Sequence, residues 1–207
     1  IVATGIFSDP FVPSLPGMDD FAGDIFHASE YVDARSANVE GKRVLVVGAA
    51  FSGAEIAGEI STSTAADVTV SARRRFYYLN RSINGVPVDL LFYSRAGRDT
   101  KRDIAVTIDS DADADENGRL RKKHAYLRSI VDATCYSDDK SSSATLRFPV
   151  TSESPPFVAI ADNFLNAVKA KRLAVRYSGV SGFGKRSVKF CDGSEDVFDL
   201  LATRLEN

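Results

Sequence analysis

The chain has 207 residues, 44% of them hydrophobic and 26% charged, with a formal net charge of −2. That length holds one large domain or two small ones, and the near-neutral balance argues against a general nucleic-acid binder. No apolar run is long enough to span a bilayer. The start, Ile1-Val2-Ala3, has no basic segment ahead of it, so no secretory leader is expected. Cys135 and Cys191 are too far apart for a redox CxxC pair and too few for a disulfide framework, which points to a reducing, cytoplasmic setting.

In chain order, Ile1-Val2-Ala3-Thr4-Gly5 reads as a strand end that turns on a glycine. Pro10, Pro13 and Pro16 then forbid helix and predict an extended connector without chemistry of its own. Phe21 to Tyr31 follows and carries His27 beside Phe26, which by itself reads as a packed, hydrogen-bonded side chain. Arg43-Val44-Leu45-Val46-Val47 is an apolar run that breaks on Gly48, and Ala54, Ile56, Ala57 and Ile60 follow at helical spacing. That is a buried parallel strand, a tight turn and a helix.

The turn reads Gly48-x-Ala50-x-x-Gly53, one residue off the dinucleotide fingerprint. Gly48 allows the sharp exit from the strand, and Gly53 lets the helix approach it. Ala50 stands where a second glycine would admit the closest phosphate approach. Bare N–H groups of the first helical turn, around Ser52, suit a pyrophosphate. A second strand, Asp67 to Ser71, ends about 20 residues past the turn, where an NAD site offers an acid to the ribose. Here Ser71 is followed by Arg73, Arg74 and Arg75. Guanidinium forks match a 2′-phosphate, so the expected dinucleotide is NADP(H) over NAD(H), with Ser71, Arg73 and Arg74 at the phosphate.

Taken together, Ala3-Thr4-Gly5, the connector ending Pro16-Gly17, the pattern Phe21-x-Gly23-x-x-x-His27-x-x-x-Tyr31 and the glycine turn resemble the class B flavin-dependent monooxygenases. These include the flavin-containing monooxygenases and the Baeyer–Villiger enzymes. The resemblance runs from Val2 to about Arg75. It implies FAD and NADP domains of Rossmann type, oxidation of NADPH by FAD, and transfer of one atom of molecular oxygen to a nitrogen, sulfur or carbonyl centre of a small organic substrate. It places Ala3, Thr4 and Gly5 near the flavin, and His27 in support of NADP and of the interdomain connection. It also implies that the chain is an internal piece of a longer protein, with most of the FAD domain missing. Tyr31 lacks the Trp-Pro that follows in the Baeyer–Villiger branch, which favours nitrogen or sulfur oxidation.

Farther on, Phe76 to Leu79 and Val86 to Tyr93 predict core strand or short helix. Asp113-x-Asp115-x-Asn117-Gly118 imitates the start of a calcium loop, but His124 stands where the closing Glu belongs and basic residues follow, so a solvated surface loop is expected and no metal. Arg121 to Ala133 predicts a helix. Tyr136 and Lys140 have short-chain dehydrogenase spacing in a segment that favours a loop. After Pro155-Pro156, the stripe Phe157, Ile160, Ala161, Phe164, Leu165 and Val168 predicts one helix. Strands are expected at Leu173 to Tyr177, Ser187 to Cys191 and Val197 to Leu201, the last two joined by a hairpin turn. Ala202-Thr203 begins like a second Ala-Thr-Gly-Tyr segment, from which Arg204-Leu205 departs.

The expected fold is α/β, a Rossmann-like dinucleotide-binding domain with a parallel sheet and a small antiparallel addition. Residues 1–40 form a connector from the FAD domain, and 41–207 an NADP-binding domain with an irregular insertion around 95–150. The alternatives are a non-catalytic NADP-binding module, supported by Ala50 and Arg204-Leu205; a disulfide reductase, which needs a close cysteine pair; and a short-chain dehydrogenase, which needs Tyr136 and Lys140 on one helix. No catalytic acid, base or nucleophile is nominated, because the cofactor carries the hard chemistry.

Overall fold

A computed structural model describes residues 10–99, 115–135, 146 and 154–203. Five strands form one parallel sheet: β1 (Asp24–His27), β2 (Arg43–Val47), β3 (Asp67–Ser71), β8 (Leu173–Arg176) and β12 (Leu200–Thr203). Their spatial order is β1-β12-β2-β3-β8. The register is unbroken, and the last row reads His27, Thr203, Val47, Ser71 and Arg176. The C-terminal ends of all five strands therefore share one edge, where an open α/β sheet places its ligands.

Successive side chains of β2 and β12 go to opposite faces. Val44, Val46, Leu200 and Ala202 join a core built with helix α1 (Phe51–Ser63) and helix α4 (Asp162–Lys169). Leu45, Val47 and Leu201 face the other way, onto Phe21, Phe183, Val188, Phe190 and Phe198. That second layer is the antiparallel sheet β11-β10-β9, made of Glu195–Val197, Ser187–Phe190 and Val180–Phe183. The fold is the expected one, a parallel α/β sheet with a small antiparallel addition.

Helix α1 fits between β2 and α4 because of its glycines. A methyl on Gly53 would collide with the Gly48 carbonyl oxygen, and one on Gly58 would stand 2.5 Å from the Phe164 backbone nitrogen. Gly23, in the His27 pattern, is equally constrained, since a methyl there would meet the Phe21 ring and the Asp199 carbonyl oxygen within 2.7 Å.

Some expected elements are placed differently. The stripe from Phe157 is not one helix. Val158–Ile160 is a short strand, β7, parallel to β4 (Tyr77–Leu79), and the helix begins only at Asp162. The Phe157–Ile160 spacing imitates a helical turn, but Val158–Ile160 pairs with β4 instead, and the Ala161 N–H still donates to the Leu79 carbonyl at 3.1 Å. The single strand expected over Val197 to Leu201 is divided at Phe198-Asp199, where the chain leaves the antiparallel sheet for the parallel one. The loop expected around Asp115 instead starts helix α3 (Glu116–Thr134), with the Asp115 carboxylate capping it by accepting from the Gly118 N–H at 2.6 Å. Helix α2 (Val88–Tyr93) and the hairpin strands β5 (Ser82–Ile83) and β6 (Val86–Pro87) complete the described elements. None of the described helices is long and apolar enough to cross a membrane.

Asp199 fixes the crossing between the two sheets. Its carboxylate accepts from the Arg43 N–H at 3.0 Å and from the Arg186 guanidinium at 3.0 Å. The Arg43 N–H above all, and then Arg186, hold this carboxyl below its ordinary range. A depressed folded-state value contributes stability above the unfolded value, about 3.9, and that contribution is lost as pH falls through the folded one. In acid titrations followed by circular dichroism, Asp199→Asn should therefore be less stable than wild type at neutral pH, and the difference should shrink below about pH 4. A difference that stays constant with pH would contradict this role.

Candidate dinucleotide site

The glycine bend follows directly from β2. Gly48 has φ 102°, a left-handed-side conformation that L side chains rarely adopt. Its N–H donates to the Ser71 carbonyl at 2.8 Å, which ties the bend to the end of β3. Ala50 is the N-cap of α1 and has φ −74°, ψ −166°, an extended backbone that any residue can adopt. The second fingerprint position therefore does not require glycine for its conformation. Ala50 offers no side-chain oxygen to cap the helix, and the first helical bond is Ala54 N–H to Ala50 carbonyl at 2.9 Å. The amides before Ala54 belong to the uncapped positive end of a helix of 13 residues.

A cavity of about 350 Å³ opens over this bend. Gly48, Ala50 and Gly53 line it, together with Ser71, Arg73 and Arg74. Both arginines are exposed, and the Arg74 guanidinium lies 5.3 Å from the centre of the Phe157 ring. Ser52, also nominated, sits in the first turn of α1 and does not line this cavity. Ser71 is buried, and its hydroxyl donates to the Ser178 carbonyl at 2.6 Å. Its single proton is thus spent on the neighbouring loop, and Arg73 and Arg74 are the cationic residues among those that line the cavity. Arg75 turns away and stacks over Tyr177 at 3.7 Å, while burial pushes the Tyr177 phenol up to about 12. Arg176 is likewise occupied, donating to the Ser194 hydroxyl at 2.6 Å and lying over Phe190.

His27 lies elsewhere on the same sheet edge, two strands from β2, roughly 10 Å by strand spacing. Its Nδ1 accepts from the Ser29 N–H at 3.1 Å, so the neutral ring carries its proton on Nε2. The motif around it is a packing unit. The Phe21 ring meets Phe183 at 5.4 Å and Phe26 stacks on Tyr31 at 6.0 Å. Burial, and then the Glu59 carboxylate, raise the Tyr31 phenol above its ordinary value. Ala3, Thr4 and Gly5 lie outside the described residues, as do Tyr136, Lys140, Arg204 and Leu205.

Two contributions to the cavity are not anticipated by the sequence. The proline-rich connector is a wall of it, through Phe11, Pro13 and Leu15. Their every-second-residue spacing is the signal, since an extended chain puts such residues on one side. The connector is held in place by Phe183 N–H donating to the Pro16 carbonyl at 2.7 Å. From β4, the buried Tyr78 hydroxyl donates to the Ala49 carbonyl at 2.7 Å, inside the bend itself.

Residues 1–131 match the family described as FMO-like, flavin-binding monooxygenase-like. The chain belongs to that family. The family is one of flavin-binding monooxygenases by its description. Among curated relatives, flavin-containing monooxygenase 5 of Rattus norvegicus is 43% identical over 98 residues, which are 46% of this chain and 18% of that protein. Dimethylaniline monooxygenase (N-oxide-forming) 2 of Mus musculus is 42% identical over the same shares. The matched segment thus spans under a fifth of these relatives' length. Among solved structures, an OTEMO complex with FAD and NADP aligns over 97% of this chain and 45% of that one, with TM-score 0.62 and 18% identity. Open cyclohexanone monooxygenase aligns over 97% and 46%, with TM-score 0.59 and 16% identity. At these identities the structures speak for the fold.

The bend leaves no room for a side chain at Gly53. Gly53→Ala should destabilise the chain by about 1–3 kcal/mol, because the collision is with backbone and no side chain can move aside. Thermal unfolding of that variant would measure it, and an unchanged midpoint would show that the helix does not need its close approach to β2.

Proposed function

We propose that this chain supplies the NADPH-binding part of a flavin- and oxygen-dependent monooxygenase, and that the whole protein transfers one oxygen atom to a nitrogen or sulfur centre of a small organic molecule. The observation that carries the reading is the cavity shared by the uncapped end of α1 and two exposed guanidinium groups. Amides at Ala50 and Gly53 would take the pyrophosphate, and Arg73 and Arg74 the 2′-phosphate. The described residues suit such a ligand: the cavity is lined by the cationic Arg73 and Arg74 and the helix end at Ala50 and Gly53, together with the apolar Phe11, Leu15, Phe76 and Val180. Bound together, NADPH and FAD supply the redox chemistry, and the protein supplies position and electrostatics.

In this reading Ser71 supports the site without touching the ligand, its hydroxyl holding the 178 loop against β3 and its carbonyl holding the Gly48 N–H. His27 braces the strand next to β12 and so the junction between the two dinucleotide units, with Ala3, Thr4 and Gly5 on the flavin side. The choice of nitrogen or sulfur over a ketone rests on Tyr31 lacking the Baeyer–Villiger ending and on the relatives whose names specify N-oxide formation. A cytoplasmic setting is in keeping with two unpaired cysteines.

Calorimetric titration with NADPH and NADH tests the cofactor assignment. Replacing both guanidinium groups, Arg73→Ala with Arg74→Ala, should weaken NADPH on the order of 100-fold and NADH by no more than about threefold. Equal losses for the two nucleotides would remove the 2′-phosphate from these arginines.

A further inference from the structure

We infer that Tyr78 is a positioning residue for the diphosphate: its hydroxyl holds the Ala49 carbonyl inward and so aims the Ala50 N–H into the cavity. The inference rests on the dinucleotide reading above and adds to it a residue that touches no ligand.

The geometry is simple. The Tyr78 side chain is buried, is not part of the cavity wall, and donates to the Ala49 carbonyl at 2.7 Å. Its ring is fixed by Phe164 at 4.5 Å and by Phe76 at 6.1 Å. The strand that carries it is itself paired with Val158–Ile160. The donor therefore approaches from a rigid, inner side. The peptide joining Ala49 to Ala50 is planar and trans, so its N–H points opposite to its C=O. A carbonyl directed at Tyr78 leaves the Ala50 N–H directed away from the core, and Ala49 and Ala50 both line the cavity.

Chemistry makes this orientation matter. An N–H at that point attracts an anion, and a carbonyl oxygen repels it. Gly48, with φ 102°, gives the chain conformational freedom one residue earlier. A buried carbonyl without its donor would carry a desolvation cost that rotation of the peptide relieves. The tyrosine removes that alternative. It also offsets the added methyl at Ala50, because the methyl narrows the room for phosphate while the fixed amide improves its aim.

The test separates diphosphate from the rest of the ligand. NADPH carries the pyrophosphate, and adenosine 2′-monophosphate carries the 2′-phosphate and adenosine with no phosphate on the 5′ side. In calorimetric titrations of the full chain, Tyr78→Phe should weaken NADPH about five- to tenfold and leave adenosine 2′-monophosphate unchanged. Equal weakening of both ligands, or of neither, would overturn the assignment. A second measurement needs no variant: in the amide spectrum of wild type, the Ala50 proton should move downfield with NADPH and stay in place with adenosine 2′-monophosphate. No movement of that proton would overturn it as well. Wild type binding neither ligand would remove the dinucleotide reading and this inference with it, whereas wild-type NADPH binding with an insensitive Tyr78→Phe removes only the tyrosine.

Discussion

The structure depends on one close approach, Gly53 of α1 against the Gly48 carbonyl at the end of β2. Backbone meets backbone there with no room for a methyl. That approach sets the angle at which the helix leaves the sheet, and with it the place where the helix's positive end opens. The sheet edge, the end of β3 and the connector are then arranged around that point. Burial on both sheet faces stabilises the frame, but it does not decide where an anion would be attracted. The glycine contact and the uncapped Ala50 do.

Around this point three devices converge from distant parts of the sequence. Gly48 is tied to β3 by its bond to the Ser71 carbonyl, so the bend and the strand that carries the arginines move as one. The Ser71 hydroxyl ties the same strand end to the 178 loop. Tyr78 fixes the bend from beneath. The cavity is thus framed by polar contacts that are themselves buried, while Arg73 and Arg74 remain exposed to meet charge. Rigid aim at one end and adaptable cations at the other suit a ligand with a diphosphate and a separate terminal phosphate.

The parallel strands and the bend were legible because each has a local cause. Val44 to Val47 is apolar without alternation, and Gly48 and Gly53 mark a turn whose geometry only small residues permit. The paired positions of Arg73 and Arg74 could be read because they follow β3 directly. What escaped the sequence depends on contacts between segments. The spacing of Phe157 and Ile160 imitates a helix, and pairing with Tyr77–Leu79 makes Val158–Ile160 a strand. Asp199 divides an apolar run because Arg186 and the sequence-distant Arg43 hold it. The hydroxyl of Ser71 reads as a phosphate ligand until the Ser178 carbonyl is found beside it. Phe11, Pro13 and Leu15 read as linker until the cavity is seen against them.

A structure of this chain with NADP⁺ bound tests the central claim most directly. The account predicts the diphosphate within hydrogen-bond distance of amides between Ala50 and Gly53, with the 2′-phosphate on Arg73 or Arg74. A nucleotide bound at another edge of the sheet, or one whose 2′-phosphate points away from both arginines, would contradict it.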